Sequence, residues 1–178
     1  YGLPVWSTGG CSDAKILDQQ AASEAAITLF VAAASGANLV HDIGFLDFGL
    51  TGSLELIVLC DEFVSMLERV LGSLQITDES LALDVIRNVG PGGNFITQRH
   101  TLKRYKEEHW YPTILDRWAM EHWREQGSKS LGVRANERVR AIVESHVPAP
   151  LPDDLKGQLD NIIMQAEKEG RQSLQCAR

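Results

Sequence analysis

Two short stretches concentrate the residue types that do chemistry. The first, Gly9-Gly10-Cys11-Ser12-Asp13-Ala14-Lys15, sets a thiol, a hydroxyl, a carboxylate and an ammonium directly after two glycines. The second, His41-Asp42-Ile43-Gly44, sets an imidazole beside a carboxylate. A thiol placed after two glycines is open to solvent, and near a helix start its pKa can fall far enough to make it a nucleophile. No histidine stands at a fixed spacing from Cys11, so an inert cysteine is the competing reading. Asp13 and Lys15 read as a polar pair that orients a ligand, or equally as caps of the next helix. His41 reads as a hydrogen-bond donor, a base or a metal ligand, with a satisfied structural histidine as the alternative.

Other motifs carry less. Gly90-Pro91-Gly92-Gly93-Asn94 lacks the Lys-Ser/Thr ending of a P-loop and the strand that precedes a dinucleotide site, so it reads as a plain turn. His100, His109 and His122 do not have metal-ligand spacing on a helix. Trp110, Trp118 and Trp123, with Tyr105 and Tyr111, are expected to pack between helices, although aromatic groups can also cage a quaternary ammonium. The basic cluster Lys103-Arg104-Tyr105-Lys106 is followed at once by two glutamates and reads as a solvated helix face.

The elements that must position the two chemical stretches follow from periodicity. Leu3 to Ser7 is a short β-branched and aromatic run ending at glycines, which predicts a strand. Asp18 then caps or opens a helix rich in alanine that runs to Ala34 and closes at Gly36. Asn38 to Gly44 predicts a second strand, followed by a loop from Phe45 to Gly52. Ser53 caps a second helix, whose Leu56, Leu59, Phe63, Met66, Leu67 and Val70 form one apolar stripe. These are two parallel strand-helix units in tandem. In parallel α/β architectures ligands meet the loops at the carboxyl ends of the strands, and that rule selects the Cys11 and His41 stretches. Beyond Gly72 the pattern becomes helical, with expected helices at 77–89, 101–109, 112–127, 130–146 and 152–170 and a frayed tail from Gln172 to Arg178. Two domains are expected: 1–76 for the strand-helix units and 77–178 for a helical extension. The prolines between Val147 and Pro152 mark an extended connector.

Composition bounds the rest. A chain of 178 residues with 44% hydrophobic and 23% charged residues suits one ordinary globular domain. A formal charge of -7 disfavours nucleic acid as a partner, because phosphate neutralisation needs a dense basic surface. No stretch approaches the roughly 18 unbroken apolar residues of a membrane span. The three cysteines, Cys11, Cys60 and Cys176, are odd in number and far apart, which fits a reducing cytoplasm. Tyr1 is not an initiating methionine and is followed by no basic region, so the chain reads as a fragment. Two parallel strands do not make a stable sheet alone, so the isolated chain is expected to expose apolar surface and to form homo-oligomers.

Several ordered motifs resemble one family. Tyr1-Gly2-Leu3-Pro4, Gly9, Ser12-Asp13-Ala14-Lys15 and Asp18-x-Gln20-Ala21 look like the segment that carries pyrrolysine in archaeal trimethylamine methyltransferases, with Cys11 standing where pyrrolysine would be. Gly36-Ala37-Asn38, Gly44-x-Leu46-x-Phe48-Gly49-Leu50-Thr51, Ile57-Val58, Thr77 to Ala82, Val89-Gly90, Asn94-Phe95, Leu115-Asp116-Arg117 and Gly127-Ser128-Lys129 continue the likeness. The resemblance implies the closing part of a TIM (β/α)8 barrel. It also implies transfer of a methyl group from a small methylated amine to the cobalt of a corrinoid (cobalamin) carried by a partner corrinoid protein. A thiol cannot reproduce the imine electrophile of pyrrolysine, which turns the expectation from trimethylamine to a quaternary amine such as glycine betaine. Cys11, Asp13, His41 and Asp42 are the expected substrate-binding residues, with the fragment inactive alone. Rival readings are a noncatalytic remnant of the same fold and a thiol enzyme using Cys11 with His41 as its base.

Overall fold

The structure is a computed structural model that describes residues 1–176, with side chains described through residue 169. It divides into two compact units, Tyr1–Val143 and Glu144–Arg178. In the first, strand β1 (Trp6–Thr8) pairs in parallel with β2 (Leu39–His41), in the register Trp6 to Leu39, Ser7 to Val40 and Thr8 to His41. Each strand feeds a long helix, α1 (Gln19–Ala34) after β1 and α2 (Leu54–Leu71) after β2. This is the tandem of parallel strand-helix units that the sequence pattern predicts.

Both helices start at the expected caps. The Asp18 carboxylate accepts from the Ala21 amide at 3.0 Å, and the Ser53 hydroxyl accepts from the Leu56 amide at 3.1 Å. Each bond satisfies an amide that the first turn would leave unpaired. The helices bury complementary faces. Ala21, Ala25 and Leu29, four residues apart, meet Leu56, Leu59, Cys60, Phe63 and Leu67 in one cluster. Small residues on α1 let the leucines of α2 approach closely, and each buried leucine contributes roughly 1.5–3 kcal/mol of transfer free energy. Val70, expected on this stripe, is exposed, because the core ends a turn earlier at Leu67.

Several expected boundaries shift. Strand β1 begins at Trp6, not Leu3; Val5 is tied to the second strand-helix unit instead by its amide, which donates to the Asn38 side chain, and by its carbonyl, which accepts from the Asn38 and Leu39 amides. The loop from Phe45 to Gly52 contains a two-residue antiparallel pair, β3 (Phe45–Leu46) with β4 (Thr51–Gly52), around a left-handed turn at Asp47–Gly49. The helix expected over 77–89 is broken into α3 (Asp78–Leu81) and α4 (Leu83–Val89) at Ala82, whose φ of 50° is left-handed. Helix α5 (Arg99–Glu108) starts slightly early.

The largest departure lies at 112–127, where only α6 (Met120–Glu125) is helical. Three amides that a helix would have used, those of Thr113, Ile114 and Leu115, turn onto the buried Glu62 carboxylate of α2 at 2.9–3.0 Å, and the Thr113 hydroxyl adds a fourth donor at 2.6 Å. Burial pushes the Glu62 carboxyl up, but these bonds outweigh it and hold its pKa below the ordinary value. A buried charge is tolerable when it is saturated with hydrogen bonds in this way. Helix α7 (Leu131–Ser145) follows. Among the Trp and Tyr residues expected between helices, Tyr111 and Trp118 are exposed, whereas Trp110 and Trp123 are half-buried and donate to the Ser65 hydroxyl and the Lys129 carbonyl. The basic cluster is a paired surface: Lys103 and Arg104 both meet Glu79 at 2.8 Å.

In the second unit, α8 (Asp153–Cys176) runs past its expected end at 170 and takes in most of the tail read as frayed; Ala177 and Arg178 lie outside the described residues. Among the described residues, no helix is long and apolar enough to cross a membrane.

Candidate functional site

The carboxyl ends of β1 and β2 are joined into one rim by their backbones. The Gly9 amide donates to the His41 carbonyl, the Gly44 amide to the Gly10 carbonyl and the Ser12 amide to the Phe45 carbonyl, at 2.9–3.1 Å. The Gly10 amide turns the other way, donating to the Thr28 hydroxyl of α1 at 3.1 Å. Such close approach explains the glycines. Gly10 has φ of 76°, and a Cβ there would lie 3.3 Å from the Cys60 sulfur and 3.1 Å from Ile43. At Gly44, with φ of 87°, a Cβ would fall 2.2 Å from Ile57, inside any tolerable contact.

Above this rim opens a cleft of about 550 Å³ lined by Cys11, Ser12, Asp13, Glu24, Thr28, Asp42, Phe45, Phe48 and Gly49. Three of the four residues expected at the site, Cys11, Asp13 and Asp42, therefore share one cleft. His41 is not part of its lining. The His41 ring donates from Nδ1 to Asp42 Oδ1 at 2.8 Å, sets Nε2 at 3.5 Å from the Thr8 hydroxyl and packs edge-on against Trp6. It reaches the cleft only through Asp42.

Cys11 has the surroundings of a quiet thiol. Burial, followed by the neighbouring Asp42 carboxylate, pushes its pKa up from the ordinary value, the reverse of what a thiolate nucleophile needs. Both ring nitrogens of His41 are directed at Asp42 and Thr8 rather than at Cys11. Cys60 is fully buried, its thiol donating to the Gly10 carbonyl, and burial pushes it up to about 12.

Glu24 and Thr28, both on α1, were not legible as site residues. Glu24 Oε2 accepts from the Ser12 hydroxyl at 2.5 Å and from the Asp13 amide at 3.1 Å, while Oε1 accepts from Gln20 at 2.9 Å. The Ser12 bond above all, then those of Gln20 and Asp13, holds the Glu24 carboxyl below its ordinary pKa. The signal was the spacing of Gln20, Glu24 and Thr28, each four apart on a polar line of an alanine-rich helix. Phe45 and Phe48 come from the unforeseen hairpin. Lys15 does not pair with the Asp13 carboxylate as expected; its ammonium meets Asp47 at 3.1 Å and the Asp13 carbonyl at 2.8 Å, and lies 4.6 Å from the centre of the Phe48 ring.

The cleft thus offers three carboxylates and two aromatic rings at the ends of parallel strands, a lining that suits a small cation better than an anion. A second hollow, of about 330 Å³, lies beside the Glu62-anchored loop and is lined by Tyr111, Trp118, Trp123 and Arg134 among others. Its charges are mixed in sign: Lys129 pairs with Glu137 at 2.7 Å, while Arg134 donates to the Ile114 carbonyl at 2.8 Å.

Comparison with known proteins bears on this geometry. The sequence pattern of the family described as trimethylamine methyltransferase (MTTB) matches residues 1–171. The chain is 37% identical to a trimethylamine methyltransferase MttB from Desulfitobacterium hafniense, over 95% of this chain and 34% of that protein. It is 36% identical to a glycine betaine methyltransferase from the same species, over 95% of this chain and 35% of that protein. A trimethylamine methyltransferase MttB from Methanosarcina barkeri is 34% identical, over 96% of this chain and 34% of its own length. The chain spans about a third of the length of these relatives.

Proposed function

This chain belongs to the trimethylamine methyltransferase family, and from that premise we propose that the complete protein moves a methyl group from a quaternary amine such as glycine betaine to the cobalt of a corrinoid carried by a separate protein. In this reading the two strand-helix units are the closing quarter of an eight-stranded barrel, and residues 77–178 are its helical extension. The open two-stranded parallel sheet supports that, since parallel strands are ordinarily buried among neighbours.

The observation that carries the reading is the acidic, aromatic-lined cleft at the carboxyl ends of β1 and β2, where barrel enzymes keep their chemistry. The corrinoid supplies the cobalt nucleophile. The tasks left to this chain's residues are to bind the ammonium, point one methyl group outward and exclude water. Asp13 and Asp42 offset the positive charge, and Glu24 holds the Ser12 hydroxyl and the Asp13 amide in one wall. Cys11 lines the pocket without reacting. A quaternary ammonium already carries the charge that makes its amine a leaving group, so no electrophile in the position of Cys11 is needed.

The test is methyl transfer by the complete protein from glycine betaine and from trimethylamine to reduced cobalamin, followed by cobalamin absorbance. Transfer from betaine alone is expected. Transfer from trimethylamine alone, or from neither amine, would overturn the quaternary-amine reading.

A further inference from the structure

We infer that Phe48 is the specificity-determining residue of the cleft, its ring face receiving the methylated ammonium, and that Lys15 is a resident cation which the substrate must displace from that ring. This rests on the amine reading given above. The ring is presented to the cleft in an unusual way. Asp47, Phe48 and Gly49 have successive φ values of 51°, 56° and 80°, and a bulky side chain in left-handed backbone is rare unless its surroundings hold it there. Two bonds do so here: the Asp47 amide donates to the Ala14 carbonyl at 3.0 Å, and the Leu50 amide donates to the Asp47 carbonyl at 2.9 Å. The outcome is a phenyl ring in the cleft wall that is 72% exposed.

The ring already carries a cation. The Lys15 ammonium stands 4.6 Å from its centre, within the range of a cation–π contact, and is steadied by Asp47. Lys15 is exposed and its long stem is flexible, so it can leave. A trimethylammonium group has no N–H with which to satisfy a carboxylate and is more weakly hydrated than a lysine ammonium, so an aromatic face is the surface it competes for best. Lysine retains Asp47 as an alternative partner after displacement.

The experiment is calorimetric titration of the complete protein with glycine betaine and with 3,3-dimethylbutanoate, which has the same shape but an uncharged quaternary carbon. Phe48→Leu is expected to weaken betaine by about three- to tenfold and leave 3,3-dimethylbutanoate nearly unchanged, whereas Phe48→Tyr keeps wild-type affinity. Lys15→Met is expected to strengthen betaine by a similar factor in the presence of Phe48 and to have no such effect in the Phe48→Leu background, a coupling that a change in overall charge would not produce. Equal losses for both ligands in Phe48→Leu, or no loss for either, would overturn the role of the ring. Equal gains from Lys15→Met in both backgrounds would overturn the competition. Wild-type protein that binds no betaine would overturn the amine reading itself, and this inference with it.

Discussion

At the scale of single residues, the site is a set of carboxylates with different duties. Glu24 is committed to the loop and its own helix, since it accepts from the Ser12 hydroxyl, the Asp13 amide and the Gln20 side chain. Glu24→Gln removes the charge but keeps the shape. It is expected to raise KM for the amine and to lower stability modestly at neutral pH, measured by steady-state kinetics alongside thermal melting. Its folded pKa is depressed, so the stability it confers is present above its ordinary value near 4.5 and is lost as pH falls through the lower folded value. Asp42 is positioned by His41, and His41→Ala in the complete enzyme is expected to reduce methyl transfer by freeing that carboxylate; unchanged turnover would remove His41 from the site. The stretches that hold Cys11, Asp13, His41 and Asp42 were legible because two glycine-bounded strand ends concentrated polar side chains. Glu24 and Phe48 were not. The first is hidden in a helix whose alanine content suggests packing alone, and the second depends on backbone angles that no side-chain pattern encodes.

At the scale of elements, helix caps and apolar stripes were readable, because each is a local rule satisfied by residues within a few positions. Tertiary competition governed the failures. The segment 112–127 has helical periodicity, yet Glu62 offers its amides a charged acceptor that a helix cannot match. Glu62→Gln puts a donor where an acceptor is required and is expected to destabilise the first unit by about 1–3 kcal/mol, read from urea denaturation. Ala82 poses the opposite case, a helix broken at a residue that favours helix. Relieving its left-handed strain with Ala82→Gly is expected to stabilise by about 1 kcal/mol in the same assay. Gly44→Ala would meet Ile57 at once and is expected to loosen the rim from α2, seen as a fall in melting temperature together with loss of ligand binding.

At the scale of the molecule, the parallel pair β1–β2 has no further strand on either side among the described residues. Trp6 and Leu39 on it are exposed, as are Phe30 and Val31 on α1. Surfaces of this kind are ordinarily covered. The isolated chain is expected to self-associate, and Trp6→Lys is expected to lower its sedimentation-average mass at a given concentration. Within the first unit, Glu62 joins α2 to a loop 51 residues away. Amides in a helix are guarded by a neighbouring turn and can open one turn at a time. Those of Thr113, Ile114 and Leu115 belong to irregular chain and are guarded by a carboxylate carried on α2, far away in the sequence. In hydrogen exchange, three amides of a coil should therefore be among the last to take up deuterium, and their rates should report the global opening of the unit rather than local fluctuation.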